Sequence, residues 1–69
     1  MDNNAFLTQA EAADVLRMSP RTLERYRVAG NGPRYIKAGR RVLYKFAELE
    51  AWADANTFTS TSEEGQRRG

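Results

Sequence analysis

The stretch MSPRTLERYRVAG (Met18–Gly30) sets three arginines and a Ser-Pro pair into one short run. Ser19 is a good helix N-cap, because its hydroxyl can accept from an N–H of the first turn. Pro20 falls at the first helical position, where its missing N–H costs nothing. Gly30 offers the left-handed residue that commonly ends a helix. The spacing predicts a helix from Pro20 to about Ala29.

Upstream, LTQAEAADVLR (Leu7–Arg17) opens with a capping box. Thr8 can accept from the N–H of Glu11 while Glu11 reaches back to the N–H of Thr8. Ala12, Val15 and Leu16 then fall on one helical stripe, which predicts a first helix from Gln9 to about Arg17. Two short helices joined by a turn of about three residues form a helix-turn-helix candidate.

Downstream, Gly32 and Pro33 punctuate the chain. RYIK (Arg34–Lys37) and RVLY (Arg41–Tyr44) read as two strands of a hairpin, with Gly39 at the positive-φ position. Ile36 and one of Val42 or Leu43 are expected to point inward. FAELEAWADA (Phe46–Ala55) is the third helix, with Phe46, Leu49, Trp52 and Ala53 at helical spacing. Its N-cap is poor, since Lys45 and Ala47 offer no side-chain acceptor. Trp52 and Phe46 read as core, and Tyr35 and Tyr44 as core or edge. The expected organisation is a flexible N-terminus over 1–6, one domain over 7–55 and a disordered polar tail over 56–69. The fold class expected is mainly α with a small β-hairpin, a winged helix-turn-helix: helix-turn-helix, two-stranded wing, C-terminal helix.

The chain has 69 residues, no cysteine and no histidine. Without those two residue types the usual nucleophile, general-base and metal-ligand constellations are not available. Neither an enzyme nor a bound metal or cofactor is expected. No apolar run is long enough for a membrane span, and the first residues lack the pattern of a signal peptide. A bacterial cytoplasmic location, close to the nucleoid, is the expectation. The net charge of +2 hides a strong segregation. Arg17, Arg21, Arg25, Arg27, Arg34, Lys37, Arg40, Arg41 and Lys45 share their span with one acid, Glu24, so that nine cations against one anion give +8 and the rest of the chain carries −6. Such segregation is the footprint of a nucleic-acid face; a basic surface that serves only solubility is the plainer alternative.

With Leu23 placed inward, steps of about 100° put Arg21 and Arg25 on the opposite side, with Val28 between them and Thr22 and Glu24 on the flanks. Arg can bond guanine O6 and N7 with both arms, and Thr or Val can meet a thymine methyl. Glu24 can accept from a cytosine amino group, although an intrahelical pair with Arg27 is the favoured reading. Arg27 lies near the buried flank, where reaching a phosphate or packing its stem is expected before reading a base. These residues alone also describe a solvated face. The hairpin decides, because Lys37, Arg40 and Arg41 gather around its tip and repel one another unless an anion intervenes. Such a wing can lie along the backbone or enter the minor groove. Arg40 is expected to insert deepest. Gly39 serves the turn and counts with Lys37, Arg40 and Arg41 as a wing contact, and Ser19, Arg27 and Arg34 are further candidate contacts.

Taken together, EAADVL, SPRTLERYR, GPRYIKAGRRVLY and ELEAW, in this order and spacing, resemble the winged helix-turn-helix domains of the excisionase family, relatives of the DNA-binding domain of MerR-type regulators. The likeness covers Leu7–Trp52. It implies a small recombination directionality factor whose second helix binds the major groove and whose wing binds the minor groove of double-stranded DNA. It further implies copies side by side that bend DNA and help an integrase to excise. By motif, the helix contacts fall on Arg21, Thr22 and Arg25, and the wing contacts on Lys37, Arg40 and Arg41. Tyr26 departs from the family, where tryptophan is usual, as does the poorly capped start of the last helix. No dimerising helix or effector domain of a MerR-type regulator is expected after Trp52. Two other functions remain open: a small promoter-bound transcriptional regulator of the same fold, and a module whose basic face binds an acidic protein. Arg67 and Arg68 in the tail are candidates for touching an integrase.

Overall fold

Thr8 is where the chain turns from strand to helix. In the computed structural model, which describes residues 5–62, it ends β1 (Phe6–Thr8) and caps α1 (Gln9–Val15). Its hydroxyl accepts from the Glu11 N–H at 3.2 Å, and its own N–H donates to Glu11 Oε1 at 2.8 Å. The capping box read from the sequence is formed.

Helix α1 stops at Val15, short of the expected Arg17. Arg17 takes a left-handed conformation, φ 61°. The Met18 N–H then donates to the Ala13 carbonyl at 2.9 Å and the Arg17 N–H to Asp14 at 3.1 Å. That pair of bonds closes the helix end in the way a glycine usually does. α2 (Pro20–Ala29) follows, with the Ser19 hydroxyl accepting from the Thr22 N–H at 3.1 Å. It ends in the same motif, here with Gly30 at φ 84° and the Asn31 N–H donating to Tyr26 at 3.1 Å. The Gln9 side-chain amide donates to the Pro20 carbonyl at 3.4 Å and links the starts of the two helices.

The hairpin is β2 (Ile36–Ala38) and β3 (Arg41–Lys45), antiparallel, with Ala38 opposite Arg41. Gly39 and Arg40 are left as a two-residue turn, and only Gly39 has positive φ, 62°. β1 pairs with the other edge of β3, Leu7 opposite Tyr44, so the wing is part of a three-stranded sheet in the order β1-β3-β2. This corrects two expectations. The wing is not two-stranded alone, and Phe6 belongs to a strand instead of a flexible N-terminus; residues 1–4 lie outside the described residues. A three-residue strand is too short to show alternation, and its pairing is set by β3, not by its own sequence.

Leu7, Ala12, Ala13, Leu23, Tyr44 and Leu49 form the core, with Val15, Leu16, Met18, Val42 and Phe46 packed against it. Register settles which strand face is inward. Val42 and Tyr44 share the core face, whereas Ile36 lies opposite Leu43 on the other face. Ile36 is half-buried there and does not join the core, contrary to expectation. α3 (Phe46–Ala55) starts without a side-chain cap. It closes the domain through Leu49 and Phe46, while Trp52 sits half-buried at its outer side.

The segment from Asn56 does not begin as open chain. The Asn56 side-chain amide donates to the Trp52 carbonyl at 2.8 Å and the Thr57 hydroxyl to Ala53 at 2.7 Å. Phe58 is half-buried, and Thr61 and Ser62 are helical. The disordered tail expected from Asn56 is therefore corrected up to Ser62. Side chains satisfy carbonyls that the end of a helix leaves open. Residues 63–69, with Arg67 and Arg68, lie outside the described residues. Among the described residues no helix is long and apolar enough to cross a membrane.

Candidate nucleic-acid interface

Burying Leu23 fixes the rotation of α2, and everything opposite Leu23 faces solvent. Arg21, Glu24, Arg25, Val28 and Ala29 are all exposed and line one shallow depression. Val28 is 75 % exposed, a bare apolar side chain set among charges. Thr22 is half-buried, and its hydroxyl lies 2.9 Å from that of Ser19. Those two hydroxyls are thus occupied in starting the helix, and Thr22 lines a second depression with Arg25, Tyr26, Ala29 and Asn31.

Arg27 does not pair with Glu24. Its guanidinium carbon stands 5.7 Å from the centroid of the Tyr35 ring, and its Nε is buried without a partner. An aromatic face turned toward a half-buried cation on the flank of α2 outcompetes an exposed carboxylate, whose pairing in water is worth little. Glu24 is left free on the outward face.

In the wing Lys37, Gly39, Arg40 and Arg41 are exposed. The tip does gather the three cations, but on different sides. Lys37 lies opposite Val42, on the core-face side of the ladder, and Arg41 lies opposite Ala38 on the other. Arg40 stands in the turn between them. A cation at the apex flanked by one on each face suits a groove with phosphates along both walls. Gly39 is needed for its φ of 62°, since a Cβ added there would meet nothing within 4 Å. Arg34 is exposed in the loop leading to β2 and lines a cleft of about 320 Å³ with Arg27, Gly30, Gly32, Pro33 and Tyr35.

The Tyr44 phenol has a displaced pKa. Burial pushes its phenol up, against the opposing pull of the Arg27 guanidinium. Among the described residues no cluster of three or more acidic, histidine or cysteine side chains is disposed to hold a metal ion.

Two features were not foreseen from the sequence. The Tyr26 and Trp52 rings meet edge to face, centroids 5.4 Å apart, and the Trp52 indole N–H donates to the Asn31 carbonyl at 2.8 Å. Together they fix the end of α2 against α3. The aromatic at position 26, read as a departure from a family tryptophan, was the one available signal. Gly32 belongs to the same joint: a Cβ there would lie 2.9 Å from the Cβ of Tyr26.

A comparison with curated proteins gave no match. The helix-turn-helix domain family matches residues 6–57, from β1 to just past the end of α3. The chain therefore belongs to the helix-turn-helix domain family, which includes excisionase-like DNA-binding proteins.

Proposed function

We propose that the protein is an excisionase: it binds and bends double-stranded DNA at an attachment site, copies side by side, and so promotes integrase-mediated excision. The observation that carries the DNA-binding part is the outward face of α2, where Arg21 and Arg25 make no ion pair among the described residues and share one depression with the exposed Val28. A ten-residue helix is about 15 Å long, enough to cross a major groove about 12 Å wide. Arg21 and Arg25 read guanine edges there, and Val28 meets a thymine methyl. Glu24, free of Arg27, accepts from a cytosine amino group. The wing carries Arg40 into the adjacent minor groove, with Lys37 and Arg41 on the phosphates either side.

The excision role is supported by the sequence likeness over Leu7–Trp52 and by the physics of a small reader. A module of this size covers only about 600–1,000 Å² of protein surface on DNA, so useful affinity needs neighbouring copies or an integrase. Bending supplies further sequence dependence through the deformability of the site. No residue is given a catalytic role, and no cofactor is required.

Footprinting the protein over the DNA around its own gene and the attachment site tests this reading. Regularly spaced protections at the attachment site, filling over a narrow concentration range, are expected. Protection confined to a promoter would make it a transcriptional regulator, and no footprint at low salt would point to an acidic protein partner.

A further inference from the structure

The cleft between the end of α2 and the start of the wing is not used by the two DNA-reading elements described above. Its residues have an unusual arrangement. The Arg27 side chain is fixed along its inner edge, where Nε is buried and the guanidinium stands over Tyr35. The Tyr35 ring is itself set against Tyr44, centroids 6.3 Å apart, and Tyr44 is wholly buried. Yet the outer nitrogens of Arg27 have no acceptor among the described residues and are not among the buried unsatisfied atoms. This guanidinium is therefore held in place with its hydrogen-bonding fork turned outward and empty. Beside it the cleft is floored by Gly30, Gly32 and Pro33, which contribute no polar side chain, and is closed by the exposed Arg34. Gly32 is pressed close to Tyr26, so this floor cannot carry a larger residue without moving the loop.

A planar fork with free donors, a second guanidinium beside it and bare backbone beneath fit a tetrahedral oxyanion, for which bidentate arginine is the preferred partner. Holding the side chain in advance removes most of the rotamer entropy that an arginine loses on binding. We infer that Arg27 and Arg34 form a phosphate seat that grips one phosphodiester of the DNA backbone between the base-reading face of α2 and the wing, with Tyr35 as the residue that positions Arg27. The inference rests on the proposed DNA binding and adds a third point of contact to it. Such a seat carries no sequence information. It fixes the angle between helix and wing on the duplex, and hence which base pairs each one meets.

The test uses the full chain, with fluorescence anisotropy on a duplex carrying a site found by footprinting and on a random duplex, over a series of salt concentrations. Arg27→Gln is expected to lower affinity for both duplexes by the same factor and to reduce the log–log salt slope by about 1. Tyr35→Leu keeps every charge but frees the guanidinium, and is expected to weaken both duplexes with the slope nearly unchanged. Since Arg27 is half-buried, the wild-type protein provides an independent measure. Replacing single phosphates by neutral methylphosphonates should expose one position, between the α2 and wing contacts, that weakens wild type but not Arg27→Gln. Equal salt slopes for wild type and Arg27→Gln, with DNA binding retained, would overturn the seat and leave the DNA reading intact. Failure of the wild type to bind any duplex would overturn both. Amide shifts of Gly32 and Tyr35 on adding inorganic phosphate, without a methylphosphonate effect at any position, would make this a free-anion site and overturn the DNA assignment.

Discussion

Trp52 donates its indole N–H to the carbonyl of Asn31 at 2.8 Å, joining α3 to the loop that leaves α2. The same indole meets the Tyr26 ring in a T-shaped contact, centroids 5.4 Å apart. Leu23 fixes which face of α2 is outward; this aromatic joint fixes the direction of the helix end. The joint thus helps to set how α2 presents its outward face, and its Tyr26 and Asn31 line one depression with Arg25.

Trp52→Phe keeps an aromatic ring beside Tyr26 and removes the donor. A neutral hydrogen bond contributes about 1 kcal/mol net, which for a domain of this size corresponds to a fall in Tm of about 4–8 °C. Thermal melting followed by circular dichroism measures it, and an unchanged Tm would show that the bond contributes nothing.

Arg17→Gly should stabilise the protein. Arg17 holds φ 61° at the end of α1, a position that Gly30 fills at the end of α2. Relief of the left-handed penalty, less the entropy that glycine adds to the unfolded chain, leaves a gain of about 0.5–1 kcal/mol. Urea unfolding gives the sign directly; a lower midpoint would mean that the Arg17 side chain contributes a contact outweighing its backbone strain.

Tyr44→Phe should be neutral or stabilising, by up to about 1 kcal/mol, since it removes a buried hydroxyl that has no partner. It should also alter the alkaline limb. Burial raises the phenol above its ordinary value of about 10, so above that pH the unfolded chain loses this proton before the folded one. Stability is then full below about pH 10 and falls as pH rises beyond it. Urea midpoints of the variant should fall less steeply on the alkaline side than those of the wild type, and parallel curves would contradict this.

Arg40→Ala should weaken DNA binding and reduce the bend, with a salt slope lower by about 1. Circular-permutation mobility reads the bend. Unchanged mobility would remove the wing tip from the mechanism.

Much of this architecture was legible because local chemistry decides it. The Thr8–Glu11 box, the Ser19–Pro20 start, Gly30 and Gly39 each act within a few residues of themselves, and each boundary or turn they mark lies where they placed it. Long-range pairing was not legible. β1 exists because β3 offers an edge to Phe6–Thr8, and nothing in three residues announces that. The end of α1 was missed because the left-handed position is held by an arginine, which composition never marks. Ile36 was placed inward because its type fits a core, whereas the one-residue alternation of β3 put Val42 and Tyr44 there instead. In the candidate interface, the wheel around Leu23 gave the outward residues of α2 without structure. The partner of Arg27 needed it: Tyr35 is eight positions away and across a loop, beyond the reach of helical spacing.

The most direct test of base reading by α2 is the affinity of Arg25→Ala for a footprinted site and for random duplex, measured side by side at one salt concentration. A loss of about 1–3 kcal/mol on the specific site with little change on random DNA is the result expected of a guanine contact. Equal losses on both would make Arg25 a phosphate contact and contradict the placement of α2 in the major groove as a reader.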